Sequence, residues 1–270
     1  MNKLNLKAPA KLNLHLQVLR KRQDGFHDIS SSFVFINLSD ELELRILEDE
    51  IILIEENPIK DNLVLRAALL LKETYKINKG AEIKLLKKIP DQAGLGGGSS
   101  DAASTLVGLN KLWELNISNK ELLKIGLEIG SDVPFFINGR ASWVEGRGEI
   151  FSTVKFKESW FILFFPKTKI STELAFNSLK NYKEKLITKE EFESGVAINS
   201  FTKWATSTYH EIDELFKKLS VFGSPSLTGT GSTIFLPCNT EEQAKDILLE
   251  FSEGFLVKSL HDSPLLQILE

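Results

Sequence analysis

The 270-residue chain has one cysteine, Cys238. No disulfide can therefore form within it, and a lone thiol suits a reducing cytosol. Long apolar runs are also missing. The longest, Trp160 to Phe165, falls far short of the roughly 20 residues of a membrane helix. No export signal is visible, so a cytoplasmic protein without a membrane partner is expected. A formal net charge of −4 supplies no global attraction to nucleic acid or anionic membrane, and no nucleic-acid partner is expected. Internal repeats and low-complexity tracts are absent too. What remains is a chain with 42% hydrophobic residues, enough to bury the core of one large or two modest domains.

Charge is unevenly spread. Residues 1–25 carry Lys3, Lys7, Lys11, Arg20, Lys21 and Arg22 against Asp24, whereas residues 40–61 carry nine acids against Arg45 and Lys60. A basic N-terminal segment serves an anionic small molecule or a solvated face.

The densest signal lies in PDQAGLGGGSSDAASTLVG, residues 90–108, where four glycines and two serines occupy seven positions. Gly94, Gly96, Gly97 and Gly98 let backbone amides adopt positive φ and approach an anion. Ser99 or Ser100 is expected to cap the helix that follows, whose free amides and dipole face the same anion. Ala102, Ala103, Leu106, Val107, Leu109 and Trp113 fit one broad helical face, which argues against a flexible surface loop. The Walker A pattern is excluded, because no lysine follows Gly98, and the dinucleotide fingerprint fails at Ser99. A second glycine cluster, Ser226 to Ser232, reads as a hairpin turn or as a partner of the first across a ligand cleft.

Strands are predicted at 41–47, 51–54, 81–88, 134–138, 141–145, 150–155 and 159–165. Helices are predicted at 62–76, 99–115, 119–129, 171–181, 189–199, 209–219 and 240–251, with Gly130 ending the third. Leu12, Leu14, Leu16 and Val18 alternate with Lys11, Asn13, His15 and Gln17, predicting a strand with one buried and one polar face. Interleaving without strict βαβ repetition implies an α+β fold. The break at Lys155–Ser159 suggests two domains, 1–157 and 158–270.

Three segments in order, PAKLNL at Pro9–Leu14, GLGGGSSDAA at Gly94–Ala103 and LTGTGS at Leu227–Ser232, resemble the GHMP kinases. DGFH at Asp24–His27, NLVLRAA at Asn62–Ala68, GSDVPFFINGRA at Gly130–Ala141 and EGRGE at Glu145–Glu149 narrow the resemblance to the branch acting in non-mevalonate isoprenoid precursor synthesis. That resemblance implies an N-terminal domain similar to domain 2 of ribosomal protein S5, a ferredoxin-like C-terminal domain, and ATP with Mg²⁺ in the cleft between them. The implied substrate is a small alcohol carrying a cytidine diphosphate group.

The resemblance assigns catalysis to Lys11 and Asp132. Phosphorylating an alcohol needs a group to take or orient its proton and cations for the γ-phosphoryl oxygens. Taken singly, Asp132 reads as a turn residue bonding its own backbone and Lys11 as an exposed strand lysine. Their joint occurrence with the glycine loop favours the catalytic reading. ATP-binding positions are Pro90, Asp91, Gln92, Ala93, Gly94, Leu95, Gly96, Gly97, Gly98, Ser99 and Ser100. Phe26 is implied to stack on the cytosine with Phe176 closing the far side, His27 to read its polar edge, and Asn13 and Thr172 to bind substrate. No metal ligands are implied.

Three positions depart from the family pattern. Gln92 stands where the loop usually begins with glycine, Asn199-Ser200-Phe201-Thr202 replaces Asn-Asp-x-Glu, and Phe26 replaces the commoner tyrosine. A nucleotide-binding regulator would dispense with Lys11 and Asp132, and an RNA-binding module would need a basic stripe. The nearest enzymatic alternative is another small-alcohol kinase, of homoserine or mevalonate type, which Phe26-His27 discriminates against.

Overall fold

The structure, a computed structural model, describes residues 2–179 and 185–269. It opens with β1 (Lys3–Lys21) and β2 (His27–Leu47), followed by β3 (Ile51–Glu55), α1 (Leu63–Thr74), β4 (Gly80–Leu86), α2 (Gly97–Leu112), α3 (Asn119–Ile129), α4 (Val133–Asn138), β5 (Ser142–Gly146) and β6 (Ile150–Thr153). The remainder comprises β7 (Trp160–Phe164), α5 (Thr172–Ser178), α6 (Lys189–Glu193), α7 (Thr202–Thr208), α8 (His210–Leu219), β8 (Ser226–Leu227), β9 (Ile234–Cys238), α9 (Glu241–Leu248), β10 (Phe255–Leu260) and α10 (Leu266–Leu269).

One path of strands runs β3-β4-β2-β10-β7-β9-β8, with β1 and β5 also pairing to β2 and β6 to β5. Among the strands of the described residues, β3 and β4 pair parallel and the other pairs are antiparallel. This is the α+β architecture predicted. Helix α1 starts where Asn62 accepts a hydrogen bond from the Val64 amide, and buries Val64, Ala67, Ala68 and Leu71 at helical spacing. Helix α3 carries a Ser118–Glu121 capping box and stops at Gly130.

Several segments differ from the prediction. Residues 133–138 form α4, not a strand: Pro134 sits in the first turn, where its missing amide costs nothing, and Gly139 closes the helix at φ +69°. Helix α6 ends at Glu193, and residues beyond it run along β1 instead. Residues 180 and 181 of the predicted helix 171–181 lie outside the described residues. The first half of β2, together with α7, β9 and β10, was not foreseen.

The alternation along β1 does not give two simple faces. Lys11, Asn13, His15 and Gln17 are buried, like Leu12 and Leu16. Moreover, the strand changes register between Pro9 and Lys11 and again between Asn13 and His15. Each slip turns the side chains to the opposite face. Leu4, Leu6, Ala8, Leu16 and Val18 join the core beneath the helices, whereas Ala10, Leu12 and Leu14 pack on the other side with Phe161, Leu163 and Phe235. Lys11 and Asn13 are thereby turned toward α2.

Candidate active site

Lys11 occupies the floor of a cavity of about 450 Å³. Its backbone amide donates to Leu95 O at 2.9 Å, which ties β1 to the glycine loop. Its ammonium donates to Asn13 Oδ1 at 2.5 Å, lies 3.6 Å from Asp132 Oδ2, and stands 4.9 Å from the Phe33 ring centroid. Burial pulls the Lys11 pKa down, and the adjacent Asp132 carboxylate opposes that pull. The exposed strand lysine is thus replaced by a buried, partnered cation.

Asp132 precedes α4 and makes no capping hydrogen bond with its side chain. The turn-residue reading is therefore not what the carboxylate does. Its side chain is 34% exposed and lines the same cavity as Lys11. Beneath it, Phe135 stacks on Phe35 at 4.5 Å and meets Phe33 edge-on at 5.1 Å. That aromatic block fixes the start of α4, and so the carboxylate.

The two glycine clusters meet. Gly94 has φ +73°, and a Cβ there would stand 2.4 Å from Thr228 O. The Thr228 hydroxyl lies 3.2 Å from Gly94 O, while the Gly229 amide donates to Asn13 Oδ1 at 2.8 Å. The hairpin reading of the second cluster holds, since Leu227 also pairs with Ile234 in the β8–β9 hairpin. Asn13 joins the pieces: it receives Lys11 and Gly229 on Oδ1, and its Nδ2 donates to Ser31 at 3.1 Å.

Helix α2 begins three residues earlier than a Ser99 cap requires. Gly96, at φ +72°, is its N-cap without a side-chain bond, and Ser99 and Ser100 lie inside the first turn. A side chain at Gly96 would strike Phe136 at 2.8 Å, so glycine is needed at the cap for packing as well as conformation. Gly97 and Gly98 are helical rather than at positive φ. The helical ladder starts with the Ser100 amide bonding Gly96 O at 2.9 Å, which leaves the amides of Gly97, Gly98 and Ser99 outside it. Gln92 adopts φ +54°, the left-handed region its family counterpart glycine favours.

Of the proposed loop residues, Gly94 and Gly96 line the main cavity, whereas Asp91 faces a second one of about 320 Å³ with Lys87, Ile89 and Asn57. Pro90, Gln92, Ala93, Leu95, Gly97, Gly98, Ser99 and Ser100 line neither. The loop is anchored by charges the sequence reading missed. Lys87 Nζ meets Asp40 Oδ2 at 2.5 Å and Asp101 Oδ2 at 2.7 Å. Burial pushes the Asp101 carboxyl up to about 7, with Lys87 opposing and Asp40 adding to the rise.

Phe26, His27, Thr172 and Phe176 line the other end of the main cavity. Phe26 projects from the β1–β2 turn, 44% exposed, with its amide bonded to Asp24 Oδ1 at 3.1 Å. The His27 and Phe176 rings are 4.8 Å apart, and the Thr172 hydroxyl lies 3.5 Å from that of Thr230. Partial burial and the nearby Lys21 hold the His27 pKa below its ordinary value. One face of Phe26 is covered by the Arg147 guanidinium, 4.2 Å from the ring centroid. Arg147 received no role from the sequence, because a charged residue flanked by glycines reads as a solvated turn.

The Asn199-Ser200 departure is accommodated. Asn199 Nδ2 donates to Leu227 O and Gly229 O, both at 2.9 Å, and Ser200 Oγ accepts from the Val18 amide at 3.1 Å. Among the described residues, no group of three or more His, Cys, Asp or Glu is arranged to hold a metal, and no helix is long and apolar enough to cross a membrane.

Comparison with known proteins gives the family. Residues 62–140 match the model of the GHMP kinases N terminal domain and residues 184–256 that of the GHMP kinases C terminal domain. The 4-diphosphocytidyl-2-C-methyl-D-erythritol kinase of Pseudoalteromonas translucida is 36% identical, with 96% of this chain and 94% of that protein covered. Its namesake in Pasteurella multocida is 38% identical over 97% of this chain and 92% of its own. A crystal structure of 4-(cytidine 5'-diphospho)-2C-methyl-D-erythritol kinase superposes with a TM-score of 0.80 at 28% identity, covering 95% of this chain and 99% of that one. The chain belongs to the GHMP kinases, ATP-dependent small-molecule kinases, and within them to the 4-diphosphocytidyl-2-C-methyl-D-erythritol kinase family.

Proposed function

We propose that the protein transfers the γ-phosphoryl group of ATP, in the presence of Mg²⁺, to the 2-hydroxyl of 4-diphosphocytidyl-2-C-methyl-D-erythritol. One observation carries the reading: the Lys11–Asp132 pair lies in the same cavity as a glycine loop and an exposed aromatic next to a histidine. The substrate hydroxyl lies against Asp132, whose carboxylate takes its proton as the oxygen attacks phosphorus. Lys11, steered by Asn13, faces the phosphoryl oxygens and offsets their charge. ATP places its phosphates at the open amides of α2, with Pro90 to Ser100 as its loop. Phe26 stacks on the cytosine from the face that Arg147 leaves uncovered, Phe176 bounds the far side, His27 supplies the polar discrimination that stacking lacks, and Thr172 bounds the mouth.

Mg²⁺ bound with a nucleotide needs only one or two protein oxygens. Ser99, in the first turn of α2 beside the glycine loop, would supply one such oxygen. The ion neutralises charge on the transferring phosphoryl group. We divide the chain into domains at 1–157 and 158–270, and assign the reaction to the cytoplasm, where the buried free thiol of Cys238 is stable. ADP release followed by a coupled assay tests the proposal. It should require the cytidine substrate and stop on Mg²⁺ chelation; equal release with homoserine or mevalonate would favour the alternative kinases instead.

A further inference from the structure

Arg147 sits at the tip of the β5–β6 turn and lines the main cavity. Its side chain makes two described arrangements only. The guanidinium carbon lies 4.2 Å from the Phe26 ring centroid, and Nε is shielded from solvent without a hydrogen-bond partner. Among the described residues no carboxylate reaches its guanidinium within ion-pair distance; Glu149 instead accepts the Arg147 backbone amide at 2.7 Å. A shielded, unpartnered donor on a permanent cation is costly unless a ligand completes it.

The turn is also fixed at its other side. A Cβ at Gly148 would stand 2.9 Å from Ser131 O, so the backbone next to Arg147 packs directly on the residue before Asp132. Arg147 therefore touches the aromatic platform with its side chain and adjoins the reacting end through its neighbour. A cytidine diphosphate ester has its parts in the same linear order: base, ribose, diphosphate, then the alcohol.

We infer that Arg147 binds the diphosphate of the substrate, using a guanidinium held ready on Phe26 to set the distance between base and reacting hydroxyl. This rests on the functional reading above and extends it to a residue of the EGRGE segment to which no role was assigned. Arg147 is a specificity-determining contact: it distinguishes a nucleoside diphosphate ester from a bare nucleoside, whereas Phe26 and His27 act on the base.

Calorimetric titration of cytidine, CMP and CDP into the full chain tests this, with a non-hydrolysable ATP analogue occupying the nucleotide side. The native protein should bind CDP about 10- to 100-fold more tightly than cytidine, the range of a charge-assisted contact. Arg147→Gln should reduce that ratio at least about fivefold while leaving cytidine affinity within about threefold of native. Arg147→Lys should recover part of it, since charge persists without the planar fork. In the native protein alone the ratio should shrink with added salt. Equal loss of cytidine and CDP in Arg147→Gln would overturn the inference, making Arg147 a support for Phe26. Native binding of CDP no tighter than cytidine would also overturn it. Failure of the native protein to bind any of the three would instead remove the functional reading itself.

Discussion

Asp132→Asn separates chemistry from architecture at this site. The amide keeps the shape of the carboxylate but can neither take a proton nor offset the charge of Lys11. Because the Asp132 side chain is 34% exposed and caps nothing, the fold does not depend on it, and the melting temperature should move little. Lys11 should feel the change: it is buried, and it loses the carboxylate that raises its pKa while keeping Asn13 at 2.5 Å. Loss of a general base typically costs about 10²–10⁴-fold in kcat, equivalent to roughly 2.7–5.4 kcal/mol on the barrier. ATP affinity should change far less, since the open amides of α2 are a separate element. Lys11→Met should be similarly damaging, and the double variant no worse than the poorer single one, because the pair acts as a unit. The assay is steady-state ADP release beside a thermal melt. A folded Asp132→Asn protein with kcat within about tenfold of native would refute the base assignment and leave substrate positioning as the source of catalysis.

Three further outcomes follow from named contacts. His15 is fully buried and stacked on Trp143, and burial lowers its pKa from 6.5 to about 4. The unfolded chain therefore binds a proton that the folded one refuses, so stability should fall by about 3 kcal/mol as pH drops from 6.5 to 4. His15→Phe should flatten that dependence in urea titrations at several pH values, although it forfeits the bond from the Ile198 amide at 3.2 Å; an unchanged slope would exonerate His15. Gly94→Ala would drive a methyl to 2.4 Å from Thr228 O, so it should cost about 1–3 kcal/mol and raise the KM for ATP, and a native-like melt would show that the two loops are not pressed together. Phe26→Ala should weaken the cytidine substrate by about 1–3 kcal/mol with ATP binding little changed; parallel loss of both ligands in a folded protein would make Phe26 a structural residue.

The sequence exposed the site more clearly than the path of the chain. Lys11, Asp132 and the two glycine clusters carry local chemistry, and motif order brought them together before any coordinates. The face-switching of β1 was hidden because Leu12, Leu14, Leu16 and Val18 keep a regular alternation across a register slip that only β2 reveals. Residues 134–138 were misread as a strand because so short and mostly apolar a run has no measurable period. The first half of β2 escaped because Ser30, Ser31 and Ser32 are buried, so polarity marked no face. Helix α2 was assigned correctly, but its cap was not: a serine signals capping by side chain, whereas packing against Phe136 selects glycine at position 96. Arg147 and the Asp40–Lys87–Asp101 cluster are meetings of distant segments, for which single-chain patterning has no signal.

The central claim is that Lys11 and Asp132 act on an alcohol presented by a cytidine diphosphate group, and a competition measures it most directly. The protein, ATP and Mg²⁺ are mixed with equal concentrations of 4-diphosphocytidyl-2-C-methyl-D-erythritol, homoserine and mevalonate, and products are followed by phosphorus NMR. The account predicts a new phosphomonoester signal on the cytidine compound alone, abolished in Lys11→Met and Asp132→Asn. Phosphorylation of homoserine or mevalonate with the cytidine compound untouched would contradict it.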